Sequence, residues 1–546
     1  MYVSNIPDNA RFDYVIVGSG SAGCALANRL TADGRHSVLL LEAGGRDNHY
    51  KLHIPALVAQ VLNDPRWIWP YLTAPQSRLD GQQRKWPRGR VVGGCSSING
   101  NLFVRGDPAE YDAWRDELGC TGWGYEDLLP VFKRLEDFPE GDPAVRGSGG
   151  PIHCTRLDNF DPLSEAFLAA CGEAGYQRVA DYNDGHYEGA FNLQYTTRNG
   201  LRNSASVGYL RPAKNRPNLT ILTNATATRV LLNGKCAQGV EVRLGDVRRQ
   251  VYARREVVLS AGPLASPQLL ELSGIGNAEI LQQHGIATIQ HLPGVGENLR
   301  DHPYLRLSFE CSQPVTVNDV LRNPLLRLRE GLRFIFKRQG ILTISSSTAQ
   351  MNYRSHAGAR QADLVLRMMP LSGQNRYARE SRYGLDAFSG FSFGVAVLQP
   401  RSIGHVHIQS TDPAQQALMD PCYFSHEEDA QLFLEGVRVA RRVVQMPALK
   451  PYFVRETRPG PDLVDDAALF EYMRSTAQTA WHMVGTCKMG TDDAAVVDPA
   501  LRVRGIGNLR VIDSSICPTI PASNTNIAAI AVGEKGADLL LAAAMV

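Results

Sequence analysis

Phe12-Asp13-Tyr14-Val15-Ile16-Val17 runs straight into Gly18-Ser19-Gly20-Ser21-Ala22-Gly23, and Cys24-Ala25-Leu26-Ala27-Asn28-Arg29-Leu30 follows. The first six residues form a short buried-strand run, and the last seven continue as a helix. The glycines between them have separate tasks. Gly18 makes the tight turn, Gly20 lets the backbone approach a pyrophosphate, and Gly23 lets helix and strand pack closely. Ser21 and Ala22 stand at the helix start, where free N–H groups and the positive dipole end suit phosphates. A second apolar run, Ser37-Val38-Leu39-Leu40-Leu41, closes on Glu42 and Ala43, about twenty residues beyond the last glycine. The Glu42 carboxylate suits ribose hydroxyls and repels a 2′-phosphate. Strand, glycine turn, helix and acid in this order predict a dinucleotide held on a Rossmann-like, doubly wound α/β sheet.

Composition sets the outer bounds. At 546 residues the chain is too long for one core and divides into two or three domains. Apolar residues at 44% and charged residues at 21% are ordinary for a globular protein. Lys and Arg number 57 against 55 Asp and Glu, a formal charge of +2, so no field favours nucleic acid. The ten cysteines are scattered, none in a C-x-x-C, and no Cys/His group has ligand spacing, so no metal is expected. The nucleotide strand begins too near Met1 for a signal peptide, and no run of about eighteen apolar residues predicts a membrane span. A cytoplasmic setting with reduced thiols follows. Peripheral association with the inner membrane stays open, because an amphipathic patch can form in three dimensions without a sequence signal.

Further along, Arg88-Gly89-Arg90-Val91-Val92-Gly93-Gly94-Cys95-Ser96-Ser97-Ile98-Asn99-Gly100 is glycine-rich and hydroxylic. Such a loop buries little by itself and brings backbone N–H groups against something flat or anionic. Residues 140–150 read as an exposed loop. Residues 219–222, 227–232 and 239–242 alternate as strands around the Asn233-Gly234 turn, a β-meander on the nucleotide domain. Val257-Val258-Leu259-Ser260 is a further strand. It turns at Ala261-Gly262-Pro263 into a helix opened by Ser266-Pro267 and ended by Ser273-Gly274-Ile275-Gly276. Taken bare, this unit is as readily a structural crossover as a ligand contact.

The middle of the chain changes character. Residues 327–338 are helical and apolar on one face, 391–398 and 405–408 alternate like antiparallel strands, and 437–444 read as a helix. An α+β insertion of this kind carries a substrate pocket over a cofactor. The C-terminal part returns to the cofactor domain. Trp481-His482-Met483-Val484-Gly485 puts a histidine in a tight loop, residues 508–513 form a strand ending in Asp513, and Ser523-Asn524-Thr525-Asn526 cap a helix over 527–541. By themselves His482 reads first as a satisfied structural histidine, and Asn524 and Asn526 as caps.

Together these motifs resemble the glucose–methanol–choline oxidoreductases, which use FAD to oxidise alcohols. The family's order is kept from about residue 12 to the C-terminus: residues 18–23 with Glu42, 89–99, 262–276, Val295-Gly296-Glu297-Asn298-Leu299-Arg300-Asp301-His302, 482–490 and 524–538. The stretch 262–276 fits the second family signature at every position. The first departs at Cys95, where Gly, Ser or Thr is usual.

The resemblance implies an FAD-binding domain of residues 1–155, 201–301 and 478–546. A substrate domain of residues 156–200 and 302–477 would carry an antiparallel sheet. It implies that Arg90, Val92, Gly93, Gly94, Ser97, Asn99, Gly100 and Asn101 follow the flavin ring. Ala261, Gly262, Asp513, Asn526 and Ile527 would meet the flavin as well, and Ala227 would bring its backbone to the adenine. Ile98 stands where some relatives attach FAD through a histidine, so non-covalent FAD is expected. His482 falls on the active-site histidine. Asn524 falls on the second catalytic position, where Asn resembles the choline dehydrogenase and aliphatic alcohol dehydrogenase branch. The implied reaction takes a primary alcohol, aliphatic or aromatic, to the aldehyde: a hydride goes to flavin N5 while neutral His482 receives the hydroxyl proton and Asn524 orients the oxygen. An acceptor, quinone or O₂, then takes the electrons, and a dehydrogenase is expected over an oxidase. Choline is the alternative substrate, with Trp67, Trp69 and Tyr71 as candidate ammonium faces. A non-redox flavin lyase or decarboxylase is a further alternative, against which His482 and Asn524 both stand.

Overall fold

A computed structural model describes residues 1–157, 160–373 and 384–545 of the protein. The opening fingerprint folds as β1 (Ala10–Val17), α1 (Ser21–Leu30) and β2 (Val38–Glu42). After β3 (Gly189–Asn192) come β4 (Leu219–Thr223), β5 (Thr226–Asn233), β6 (Cys236–Leu244), β7 (Val247–Leu259) and α2 (Ala265–Leu272). The middle of the chain supplies β8 (Pro303–Cys311), α3 (Val317–Arg322), α4 (Pro324–Lys337), β9 (Ala349–Tyr353) and β10 (Leu364–Met369). It continues with β11 (Gly390–Val397), β12 (His405–His407) and α5 (Glu427–Val444). Finally come β13 (Phe453–Arg458), β14 (Gln478–Thr479), β15 (Leu509–Val511) and α6 (Asn526–Ala543).

Two sheets organise these elements. In the first, β4, β2, β1, β7 and β15 lie parallel, with Val15 paired to Leu39 on one side and Val257 on the other. Val15, Ile16 and Val17 are buried, as a parallel strand covered on both faces demands. α1 and α6 cover one of those faces. A Cβ on Gly533 of α6 would lie 2.5 Å from the Ala22 carbonyl oxygen, so the helices meet at backbone contact.

The meander is β5, β6 and β7, antiparallel throughout. Residues 219–222, expected in it, instead belong to β4, parallel to β2 with Leu219 opposite Val38. Their nearly continuous burial is that of an interior parallel strand, which a short apolar run does not distinguish from an alternating one. β7 serves both regions: its start pairs with β6 and its end with β15.

The second sheet, in the order β13, β8, β11, β10, β9, β3, is antiparallel, and β14 pairs with the start of β8. Its period of two does the sorting. On β8, Leu305, Leu307 and Phe309 join Phe433 and Val437 of α5 in a core, while Tyr304 and Arg306 face the opposite way into a cavity. Three readings of the middle region change. Of residues 405–408, expected in this sheet, His405–His407 instead pair with Leu418–Asp420 as a separate ribbon. Loop 140–150 is exposed at about half of its residues, but Arg146 and Gly147 are buried, Arg146 in an ion pair with Glu136. The helix expected over 327–338 begins earlier, and its apolar face points to solvent. Among the described residues no helix is long and apolar enough to cross a membrane.

Candidate active site

A cavity of about 1080 Å³ lies between the two sheets. One end is a glycine cradle. Gly18 has φ +102°, and a Cβ there would collide with the Ser260 carbonyl oxygen. A Cβ on Gly94 would come 2.7 Å from the Gly20 Cα, so the two glycine loops touch back to back. A Cβ on Gly20 would meet nothing nearer than 4.0 Å, which leaves its backbone open to the cavity. Glu42 is buried at the strand end. It accepts from Ser19 Oγ at 2.6 Å, Ser19 N at 3.3 Å and Gly44 N at 2.8 Å. Burial raises its pKa, and these donors oppose the rise without cancelling it. A cradle that side chains would fill, beside a fixed acid, fits the phosphates and ribose of a dinucleotide.

The start of α6 faces the same cavity through Thr525, Asn526 and Ala529. The sequence suggested asparagine caps for a helix from 527. The helix instead begins at Asn526, and Thr525 occupies the cap position with no side-chain hydrogen bond. Asn526 Oδ1 is turned to Ser21 Oγ at 2.8 Å, which ties the starts of α1 and α6 together. Uncapped first-turn N–H groups at the wall suit an electron-rich ligand edge.

The far end holds the chemistry. Asp301, buried, accepts from the backbone N of His482 at 2.7 Å and from Tyr423 and Thr479 hydroxyls, which fixes the loop that carries His482. Burial raises the Asp301 pKa against those donors. The His302 ring packs edge-on to His482, with Nδ1 to Nδ1 at 2.9 Å. Its Nε2 sits 2.9 Å from the Leu398 carbonyl oxygen, which can only accept. His302 Nε2 therefore carries the proton. Burial pulls its pKa down to about 4, so at neutral pH its Nδ1 is bare.

The consequence passes along the pair. His482 Nδ1 must donate to His302, and His482 Nε2 is left as an acceptor. Asn524 Nδ2 lies 2.9 Å from that nitrogen. Arg367 donates to Asn524 Oδ1 at 3.2 Å and to Gln350 at 2.8 Å, which sets the amide with its NH₂ toward His482. A hydroxyl entering here can give its proton to His482 Nε2 and accept from Asn524 Nδ2 at once.

The structure brings most of the sequence-selected residues to this wall: Gly18, Gly20, Ser21, Ala22, Glu42 and Ala43 from the fingerprint, and Gly94, Asn99, Gly100 and Asn101 from the second loop. Ala227, Ala261, Gly262, His482, Asp513, Asn524 and Asn526 line it too. Asp513 holds the turn, accepting from Gly262 N at 2.9 Å and Ser266 Oγ at 2.6 Å.

Six expected cofactor residues stand behind the wall. Gly23 abuts the Gly18 carbonyl oxygen. Val92 is buried in the core, and its carbonyl accepts from Ser97 Oγ at 2.8 Å. Gly93 N donates to the Ser19 carbonyl at 2.8 Å, joining the two glycine loops. Arg90 lies over the Trp69 ring, 4.6 Å from its centroid, and Ile527 is fully buried. These positions support the cradle because a loop needs a core under it.

Sequence reasoning assigned no role to His302, Asp301, Arg367 or Arg202. His302 and Asp301 lay within a quoted motif, but pairing over a sequence separation this long leaves no local pattern. Arg202 is fully buried and donates to Leu52 O, Ser96 O, Asn99 Oδ1 and Asn99 O, a strut under the second glycine loop. Burial pulls its pKa down to about 9.

Models of the N- and C-terminal parts of the GMC oxidoreductases match residues 12–304 and 400–533. The oxygen-dependent choline dehydrogenase of Photobacterium profundum is 40% identical over 540 residues, 98% of this chain and 93% of that protein. An alcohol dehydrogenase [acceptor] of Pseudomonas putida is 37% identical over 534 residues, 97% of this chain and 96% of that one. Among solved structures, Aspergillus oryzae formate oxidase, described for its FAD modification, superposes with a TM-score of 0.91 at 28% identity. That match covers 98% of this chain and 99% of the other.

Proposed function

The chain belongs to the glucose–methanol–choline oxidoreductase family, and from that premise we propose that it oxidises an apolar primary alcohol to the aldehyde with FAD as cofactor. The observation that carries the reading is the hydrogen-bond chain from Leu398 through His302 and His482 to Asn524, which leaves His482 Nε2 unprotonated beside an amide donor. His482 Nε2 takes the hydroxyl proton. Asn524 Nδ2 donates to the same oxygen as its charge grows, and Arg367 keeps the amide from turning. The His482 cation so formed keeps its Nδ1–H on neutral His302. FAD, when bound, supplies the acceptor for the hydride, and the residues of the two glycine loops, Glu42 and the start of α6 are those that would hold it. Ile98 offers no nucleophile to a flavin, which supports non-covalent attachment; denaturation should release all the flavin.

The wall supports the substrate class. Leu57, Val58, Leu62, Leu321, Ile341 and Leu342 give an apolar lining. Choline is the second reading, favoured by the relatives. Trp69 and Tyr71 do line the cavity, whereas Trp67 lies in a satellite cluster beside it. Yet one face of Trp69 is covered by the Arg90 guanidinium. Among the described lining residues the carboxylates are Glu42 and Asp513, both at the cofactor end, while Arg88, Arg306 and Arg367 are also in the wall. A quaternary ammonium fits that balance poorly. The electron acceptor is a quinone or O₂, and the apolar lining supports a quinone-linked dehydrogenase. The free state of all ten cysteines supports a reducing cytoplasm.

Anaerobic bleaching of the flavin by 1-octanol, benzyl alcohol and choline tests the proposal. Octanol is expected to bleach it fastest; a flavin that only choline reduces moves the assignment to the second reading. His482→Ala should lower kcat roughly a hundred- to ten-thousand-fold, and Asn524→Ala roughly a hundred- to a thousand-fold, with flavin content unchanged.

A further inference from the structure

Fifteen large apolar side chains are strongly exposed among the described residues, and five of them sit on α4: Leu325, Leu328, Leu332, Ile335 and Phe336. Their spacing of three, four and one residues gathers them into a single stripe of about 100° on the helix. Fraying does not explain the exposure, because the opposite face is anchored. Asn323 caps the helix through Leu325 N at 2.9 Å, Phe334 is buried, and buried Glu330 accepts from Ile341 N at 3.2 Å. The exposed charges of α4 share one sign. Arg329, Arg333 and Lys337 are all solvent-facing, as is Arg338 just past the helix end, and the helix's acid, Glu330, lies beneath, 3.8 Å from both Arg329 and Arg333. The segments on either side of this helix, Val317 and Leu321 of α3 and Ile341 and Leu342 after it, line the cavity.

We propose that α4 is a membrane-docking helix: its apolar stripe sinks into the interface of an anionic bilayer, its arginines and Lys337 contact the headgroups, and the adjoining mouth of the cavity faces the lipid. A second copy of the chain fits this face less well, since a two-fold contact sets like charges of the same helix near one another. An anionic lipid surface satisfies both the stripe and its charge. The inference rests on the apolar-alcohol reading only for what enters by the mouth.

The test is flotation of the FAD-loaded enzyme with vesicles of three parts phosphatidylcholine to one part phosphatidylglycerol, and with phosphatidylcholine alone. Binding is expected to the mixed vesicles, weakening as salt rises. Combined Leu328→Ser, Ile335→Ser and Phe336→Ser should reduce it about ten-fold or more, and so should combined Arg329→Gln and Arg333→Gln. Both variants should keep wild-type turnover of a water-soluble alcohol with a soluble dye. That turnover separates the two ideas: its absence in the wild type defeats the alcohol reading, whatever the vesicles show. Wild-type enzyme that fails to float, or that floats equally on neutral vesicles and in high salt, overturns the docking proposal. A stable dimer that the serine variants dissociate also overturns it, assigning the face to a second copy.

Discussion

Replacing His302 by alanine removes the acceptor that holds the proton on His482 Nδ1, so the His482 ring can turn and present the wrong nitrogen. The variant should lose between roughly ten- and ten-thousand-fold in kcat, the upper figure being that of a base held in the wrong tautomer. Because His302 positions rather than reacts, a second readout matters. The apparent pKa in kcat/KM against pH should move in the variant, while the flavin spectrum stays that of the wild type. Two histidines also predict opposite limbs of the stability profile. His302 titrates at about 4 when folded and near 6.5 when unfolded, so the unfolded chain binds protons first and stability falls as pH drops from 6.5 towards 4. His407 behaves in reverse. Burial alone would pull its pKa down, but hydrogen bonds to Glu271 at 2.7 Å and Glu297 at 3.0 Å outweigh that and push it up to about 9. Its contribution is complete below pH 6.5 and is lost as pH rises through 9, on the order of 3 kcal/mol at most. His407→Gln should therefore flatten the alkaline fall in unfolding midpoint and leave the acid limb in place.

At the scale of elements, the segment from Glu136 to Arg146 shows what holds a surface loop against the core. Glu136 is fully buried between Arg105 and Arg146, and Arg146 also reaches Asp181. Glu136→Gln takes the carboxylate from buried Arg105 and leaves buried Arg146 to Asp181 alone, and should cost about 3–5 kcal/mol, read as a lowered denaturant midpoint. No pattern in residues 140–150 announces this, because a buried ion cluster has no periodicity. The fingerprint was legible for the opposite reason: Gly18, Gly20, Gly23 and Glu42 act within one local βαβ unit, so sequence spacing is spatial spacing. The same holds for the hairpin at Asn233-Gly234. β4 differs from its expected place because Leu219-Thr220-Ile221-Leu222 looks alike in a meander and in a parallel interior. In α4 the amphipathic pattern was visible, but the pattern does not say which face is buried. Only Glu330 and Phe334, packed against the segment after the helix, decide that.

Across the whole molecule, a cofactor half and a substrate half meet at one cavity, and each contributes a different kind of group. The first sheet offers backbone at its strand ends, where a ligand binds beyond the carboxyl ends of parallel strands. The second offers side chains, Tyr304, Arg306 and Arg367, from one face of an antiparallel sheet. His482 and Asn524 belong to the part of the chain that returns between them, and β14 still pairs with the second sheet just before His482. The site was readable from sequence where motifs were local and where a family order could be compared. Arg202, His302 and Arg367 escaped because each works only through contacts made in three dimensions.

The packing of α6 on α1 has one more consequence, concerning time. The cradle is written in residues 18–23, yet its cover is written in residues 526–543, so a ribosome releases the first long before the second. Gly533 against Ala22 and Asn526 against Ser21 cannot form until α6 has been synthesised. A nascent chain thus carries an open half-cradle until α6 is made, and flavin capture waits for that helix. Polypeptides terminated before residue 526 should emerge colourless, however well their first sheet has folded.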